Sequence, residues 1–188
     1  MPGARTRARG AAHEKDSGVV IGIVKSLDDP ERLGKIELQF PWLSEVHRSA
    51  WAPVAAPMAG KKRGVFYMPE LGDEVLVAFE HGDFDHPFII GYLWNGVDTP
   101  PETNHRNRVI KTPGGHELRF EDSDGAKKVI IKSSSGHQIV LDDTPEGQTI
   151  TVQTEGMLSL VMDDKDTSIQ LQGGGRILAL RAGQIQIS

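Results

Sequence analysis

The sequence predicts an all-β protein, and three observations carry that expectation. Apolar and polar residues alternate in short runs along most of the chain, clusters of Gly, Pro, Asn and Asp punctuate those runs, and the last ~80 residues repeat one line with a period of about twenty. Residues 110–122 are answered by residues 131–143 and, more loosely, by residues 152–164. Aligning the copies on their glycines places the turns at Gly115, Gly136 and Gly156, and a fainter fourth copy runs through Gly175, Arg176 and Ile177. Strands of period two repeated at that length point to a β-solenoid.

The elements follow in order. Residues 1–17 lack periodicity and form a basic arm, expected to be flexible and solvated, with Arg5, Arg7 and Arg9. No apolar segment follows those arginines, so no signal peptide is expected and synthesis is cytoplasmic. Residues 19–24 are a compact apolar run closed by a turn of Asp28, Asp29, Pro30 and Gly34. Residues 35–40 alternate, with Ile36, Leu38 and Phe40 on one face. Residues 50–55 are strand-like, but Pro53 confines them to an edge or bulge. Residues 64–69 lead to a turn at Leu71, Gly72 and Asp73, followed by the strongest strand of this half at residues 74–80. A polar turn over residues 81–87 and a last strand over residues 88–94 complete the set. Five or six strands with no helical stretch suit a small closed barrel of OB type over residues 18–96. Residues 97–108 read as a linker and residues 109–188 as the repeats.

Within the repeats the candidate inward residues are Leu118 and Phe120, Val129 and Ile131, Ile139 and Leu141, Ile150 and Val152, Leu158 and Leu160, Ile169 and Leu171, and Ile185 and Ile187. Two short strands per repeat make a ribbon with one apolar face. Each buried Ile or Leu is worth roughly 1.5–3 kcal/mol only when something covers it, and ordering each residue costs about 1–2 kcal/mol. A lone ribbon cannot offset that cost, so three chains facing a common axis are expected. Such a needle would be roughly 40 Å long at ~4.8 Å per strand, more than the ~30 Å hydrocarbon core of a bilayer.

At this point the chain resembles a known family. Gly22-Ile23-Val24 with Asp29-Pro30 and Gly34-Lys35-Ile36, then Phe40-Pro41-Trp42-Leu43, are matching motifs. So are Ser49 through Gly60, Pro69 through Phe79, Gly82-Asp83, Pro87, Ile90-Gly91 and Asn95. They are similar to the OB-fold domain of central spike proteins of contractile injection systems, the phage baseplate assembly protein V and VgrG-like group. The repeats resemble the intertwined trimeric β-helix, or needle, that follows the barrel there. The resemblance implies a homotrimer at the distal end of a tail tube, in a phage baseplate, type VI-like system or extracellular contractile particle. It implies a baseplate hub protein at the barrel end, transient contact with a target cell envelope, a membrane-puncturing role and no enzymatic activity. The absence of a hub-like domain before Gly18 implies a separate hub. No lysozyme-like segment interrupts the chain, so no peptidoglycan hydrolysis is expected. A C-terminus that stops in strand pattern, without a His-x-His tip, implies a separate PAAR-type tip protein or a truncated chain.

Chemical sites are weighed against plainer readings. His116 and His137 recur beside turn glycines and, in a threefold assembly, could form rings of imidazoles; the plainer reading is a turn residue facing solvent. His81, Asp83, Asp85 and His86 share one loop but lack a further ligand cluster. The acidic pairs Asp122/Asp124, Asp142/Asp143 and Asp163/Asp164 suit carboxylate dyads or a calcium ladder, and more simply turns that protect strand edges. Ser133, Ser134 and Ser135 lack a nucleophile elbow. Trp42 and Trp51 read as barrel packing, since no basic groove surrounds them. No catalytic, cofactor-binding or metal residue is therefore assigned. The charge balance of 21 Lys+Arg against 26 Asp+Glu, net −5, argues against a nucleic-acid partner. The absence of Cys removes disulfides and thiolate sites. The rival functions are a polysaccharide-degrading tailspike and a single-stranded nucleic-acid binder.

Overall fold

The computed structural model describes residues 18–43, 48–181 and 183–187. The basic arm expected over residues 1–17 lies outside them. The described chain forms two compact units that divide between Thr99 and Pro100.

The first unit is a barrel. Strands β1 (Val19–Ser26), β2 (Glu37–Gln39), β5 (Glu74–Phe79) and β6 (Pro87–Leu93) form an antiparallel sheet in the order β2-β1-β5-β6. Residues 48–55 close it. Ala52 exchanges both backbone hydrogen bonds with Ile36 at 2.9 Å, while Pro53 and Ala55 bond to Ile89. This segment makes isolated bridges rather than a regular ladder, as Pro53 dictates by having no N–H to donate. Its inward residues alternate as the strands require. Val24, Ile36, Leu38, Phe40, Ala52, Val75, Val77, Phe79 and Ile89 are the buried core, and the Phe40 ring lies 4.9–5.6 Å from Trp42, Phe79 and Phe84. A short hairpin, β3 (Ala59–Gly60) and β4 (Arg63–Gly64), projects from the loop between barrel segments. The loop after β5 contains a 3-10 turn at Glu80–Gly82.

The second unit is one nine-stranded antiparallel meander. Its strands are β7 (Arg108–Lys111), β8 (Glu117–Glu121), β9 (Lys128–Lys132), β10 (Gln138–Asp142), β11 (Thr149–Gln153), β12 (Ser159–Asp163), β13 (Ser168–Gly173), β14 (Arg176–Arg181) and β15 (Gln184–Ile187). Each repeat is a strand pair, and each strand bonds to its sequence neighbours. Residues 102–107, within the stretch read as a linker, carry Glu102, whose carboxylate accepts from Asn107 at 2.9 Å and pairs with Arg119 of β8.

The turns correct the glycine alignment. Gly115 and Gly136 have φ of 85° and 100°, but the third turn places its left-handed residue at Met157, φ 64°, not at Gly156. The period is therefore 21 residues across these three turns, with Thr112, Ser133 and Thr154 opening them. Each hydroxyl oxygen accepts the N–H four residues on at 3.1 Å. In the fourth turn Gly174 and Gly175, both left-handed, form a two-residue loop between the paired Gly173 and Arg176.

Candidate functional site

Register turns the period-two pattern into two continuous apolar rows. Cross-strand partners run Ile110, Leu118, Ile131, Ile139, Val152, Leu160, Leu171, Leu178 and Ile187 through all nine strands. A second row runs Phe120, Val129, Leu141, Ile150, Met162, Ile169, Leu180 and Ile185, and begins at Arg108 on β7. Both rows lie on one face, two residues apart in each strand. Most of these side chains are exposed, from 37% at Leu178 to 78% at Ile187.

The sequence expectation for this face needs two changes. Leu158 is not a row member: it follows Met157 in the third turn, at the place of His116 and His137, and the row pair in β12 is Leu160 with Met162. Leu178 and Leu180 complete the rows in β14, where the contracted Gly174-Gly175 turn disguises the repeat.

The opposite face is built differently. Its middle row is Val109, Arg119, Ile130, Val140, Thr151, Val161, Gln170 and Ala179, flanked by charged and polar rows such as Glu121, Lys128, Asp142 and Asp163. Arg119 is held between Glu102 and Glu117, the latter at 2.6 Å. Lys128 Nζ lies 2.9 Å from Asp142. Two carboxyls are strongly shifted. The Asn107 amide, the Asn104 N–H and Arg119 hold Glu102 down to about 2, and the Thr144 hydroxyl with Lys128 holds Asp142 down to about 2.

The residues singled out for chemistry make the following contacts. His116 Nδ1 accepts the Ser134 N–H at 3.3 Å, and His137 Nδ1 accepts the Glu155 N–H at 3.1 Å. Each imidazole thus ties its own turn to the next, and an accepting Nδ1 leaves the neutral ring with its proton on Nε2. Asp122 and Asp124 face Arg108 and Arg106 at 3.5 and 3.3 Å. Asp142 accepts the Thr144 N–H at 2.9 Å and Asp163 the Asp166 N–H at 3.0 Å. The Ser133 hydroxyl lies 3.1 Å from that of Ser135. His86 and Asp83 bond within their own loop at 3.0 Å. Trp42 packs on Phe40, and Trp51 is half-buried. Among the described residues no three His, Asp or Glu converge on a metal position. The largest feature was partly hidden from sequence reading: it is the alignment of the rows, which only strand register fixes.

Comparison with known proteins bears on both units. The family described as the type VI secretion system/phage-baseplate injector OB domain matches residues 20–94. The type VI secretion system spike protein VgrG3 of Vibrio cholerae is 31% identical over 140 residues, covering 66% of this chain and 14% of that protein. VgrG5 of Pseudomonas aeruginosa, also a type VI secretion system spike protein, is 32% identical over 126 residues, covering 60% of this chain and 16% of its own length. The actin cross-linking toxin VgrG1 of Vibrio cholerae is 33% identical over 108 residues, covering 51% of this chain and 10% of the toxin. The chain spans less than a fifth of the length of these relatives. The chain therefore carries an injector OB domain of the type VI secretion system and phage baseplate at residues 20–94, and it is VgrG-like over the part of those spike proteins that it spans.

Proposed function

We propose that this chain is a structural, non-enzymatic part of the central spike of a contractile injection apparatus, and that three copies join their apolar sheet faces around a common axis. The observation that carries the reading is the two apolar rows, one unbroken across nine strands and the other across eight, largely exposed in a single chain. A face of this kind on a lone sheet invites aggregation, whereas threefold closure buries it and gains roughly 1.5–3 kcal/mol per large side chain. Nine strands at ~4.8 Å make a face about 40 Å long, enough to cross the ~30 Å core of a target membrane. Mechanical work of this kind needs stiffness, and a continuous backbone hydrogen-bond network between strands supplies it. In this reading the barrel docks on a baseplate hub protein, and a PAAR-type tip protein covers the open edge of β15. The assembled particle then drives the needle through a target envelope.

The test is the oligomeric state of the full chain. Light scattering is expected to give three times the monomer mass. Replacing the cross-strand neighbours Ile139 and Val152 by Asp is expected to abolish the trimer, whereas Lys132→Ala, off the apolar face, leaves it intact. A monomeric unmodified chain would sink the reading. Turnover of envelope polysaccharide would remove its non-enzymatic part alone.

A further inference from the structure

The loop carrying β3 and β4 stands beside a groove of about 880 Å³ on the barrel. Leu33, Met58, Phe66, Tyr67, Ile90 and Tyr92 line it. Phe66 is 77% exposed, and none of these six belongs to the barrel core. The groove is pre-shaped. The Tyr92 hydroxyl donates to the Tyr67 carbonyl at 2.7 Å, and the Val65 N–H donates to the Met58 carbonyl at 2.9 Å. Gly64 permits that approach, since a Cβ there would lie 2.8 Å from the same oxygen. At the hairpin tip stand Lys61, Lys62 and Arg63, all exposed, and among the described residues none of them is in an ion pair.

Two features choose the occupant. Apolar aromatic walls accept large apolar side chains, and three adjacent unpaired cations accept carboxylates. The chain as a whole carries −5, so an acidic partner is repelled over most of the surface and drawn to this tip. A nucleic acid is disfavoured. Three cations neutralise few phosphates.

We propose that this groove binds an extended segment of a partner protein, with large apolar side chains seated against Phe66, Tyr67 and Tyr92 and flanking carboxylates against Lys61, Lys62 and Arg63. That the partner is a neighbouring baseplate chain rests on the function proposed above; the chemistry of the segment does not.

The experiment titrates the full chain into a fluorescently labelled peptide with a central leucine and tryptophan flanked by glutamates. The comparison probes are the same peptide with lysines for the glutamates, the same peptide with serines for the apolar pair, and an oligothymidylate. Only the acidic apolar peptide is expected to bind. The combined Lys61→Glu, Lys62→Glu and Arg63→Glu variant, and separately Phe66→Ser, are expected to weaken it by about tenfold or more. Their thermal melting should match that of the unmodified chain, because all four side chains are exposed. No binding of the acidic peptide, equal binding of the lysine peptide, or full affinity in the triple variant overturns the proposal. Tighter binding of the oligothymidylate would overturn it in favour of nucleic acid. A chain that binds the peptide yet scatters light as a monomer would remove the trimer and keep the groove.

Discussion

Met157 occupies a left-handed backbone position, φ 64°, that Gly115 and Gly136 fill in the two preceding turns. A side chain there costs roughly 1–2 kcal/mol against the right-handed alternative, and part of that is recovered because Met is less free than Gly in the unfolded chain. Met157→Gly is therefore expected to stabilise the chain by about 0.5–1 kcal/mol, read as a higher denaturant midpoint. The glycine one residue earlier misdirected the sequence alignment because a neighbouring Gly looks the same on paper. Carboxyl chemistry belongs to the same scale. Glu102 and Asp142 sit near 2, below their ordinary values of 4.5 and 3.8. A depressed folded value means their stabilisation is complete above about pH 5 and disappears as pH falls through about 2. Denaturant midpoints of the full chain should decline across that window. The decline should be shallower in a Glu102→Gln, Asp142→Asn variant, and an unchanged slope would show that other groups control acid stability.

One strand of the barrel, β1, is thin where its neighbours are bulky. Gly22 in β1 is such a place: a Cβ there would lie 3.1 Å from Val77 Cγ2 and 3.3 Å from Leu38 Cδ1, both core side chains. Gly22→Ala is expected to overpack this region and cost about 1–3 kcal/mol, measured by chemical denaturation. In the meander, the element that repeats is turn plus strand pair. Thr112, Ser133 and Thr154 open the turns, and His116 and His137 tie each turn to the next. Strands β8 and β11 were legible because apolar residues alternate strictly there, and β9 and β10 because a short apolar run is bounded by polar residues, Lys128 and Lys132 in one and Gln138 and Asp142 in the other. β14 was not, since its turn contracts to Gly174-Gly175 and shifts the count. The His ties were also out of reach. Alternation alone puts His116 on the face of Leu118, and the bond to Ser134 depends on how successive turns stack.

At the scale of the whole chain, the proposed trimer makes a prediction of proximity. The chain contains no native Cys, so one introduced thiol is unambiguous. Ile150→Cys lies in an apolar row, and oxidation is expected to give a cross-linked dimer on a non-reducing gel. Cys in place of Lys127, an exposed residue outside the strands, is expected to give none. Equal cross-linking at both positions would argue for random encounter rather than a common axis. The sequence by itself determined the strand class, the barrel motifs within residues 18–96 and the existence of a one-sided apolar pattern, because alternation and turn chemistry are local. Only the tertiary structure decided which apolar residues share a row, where the third turn bends, and that Lys61, Lys62 and Arg63 stand beside an aromatic groove. Those facts depend on register and on loops meeting distant strands, and neither leaves a periodic trace in the chain.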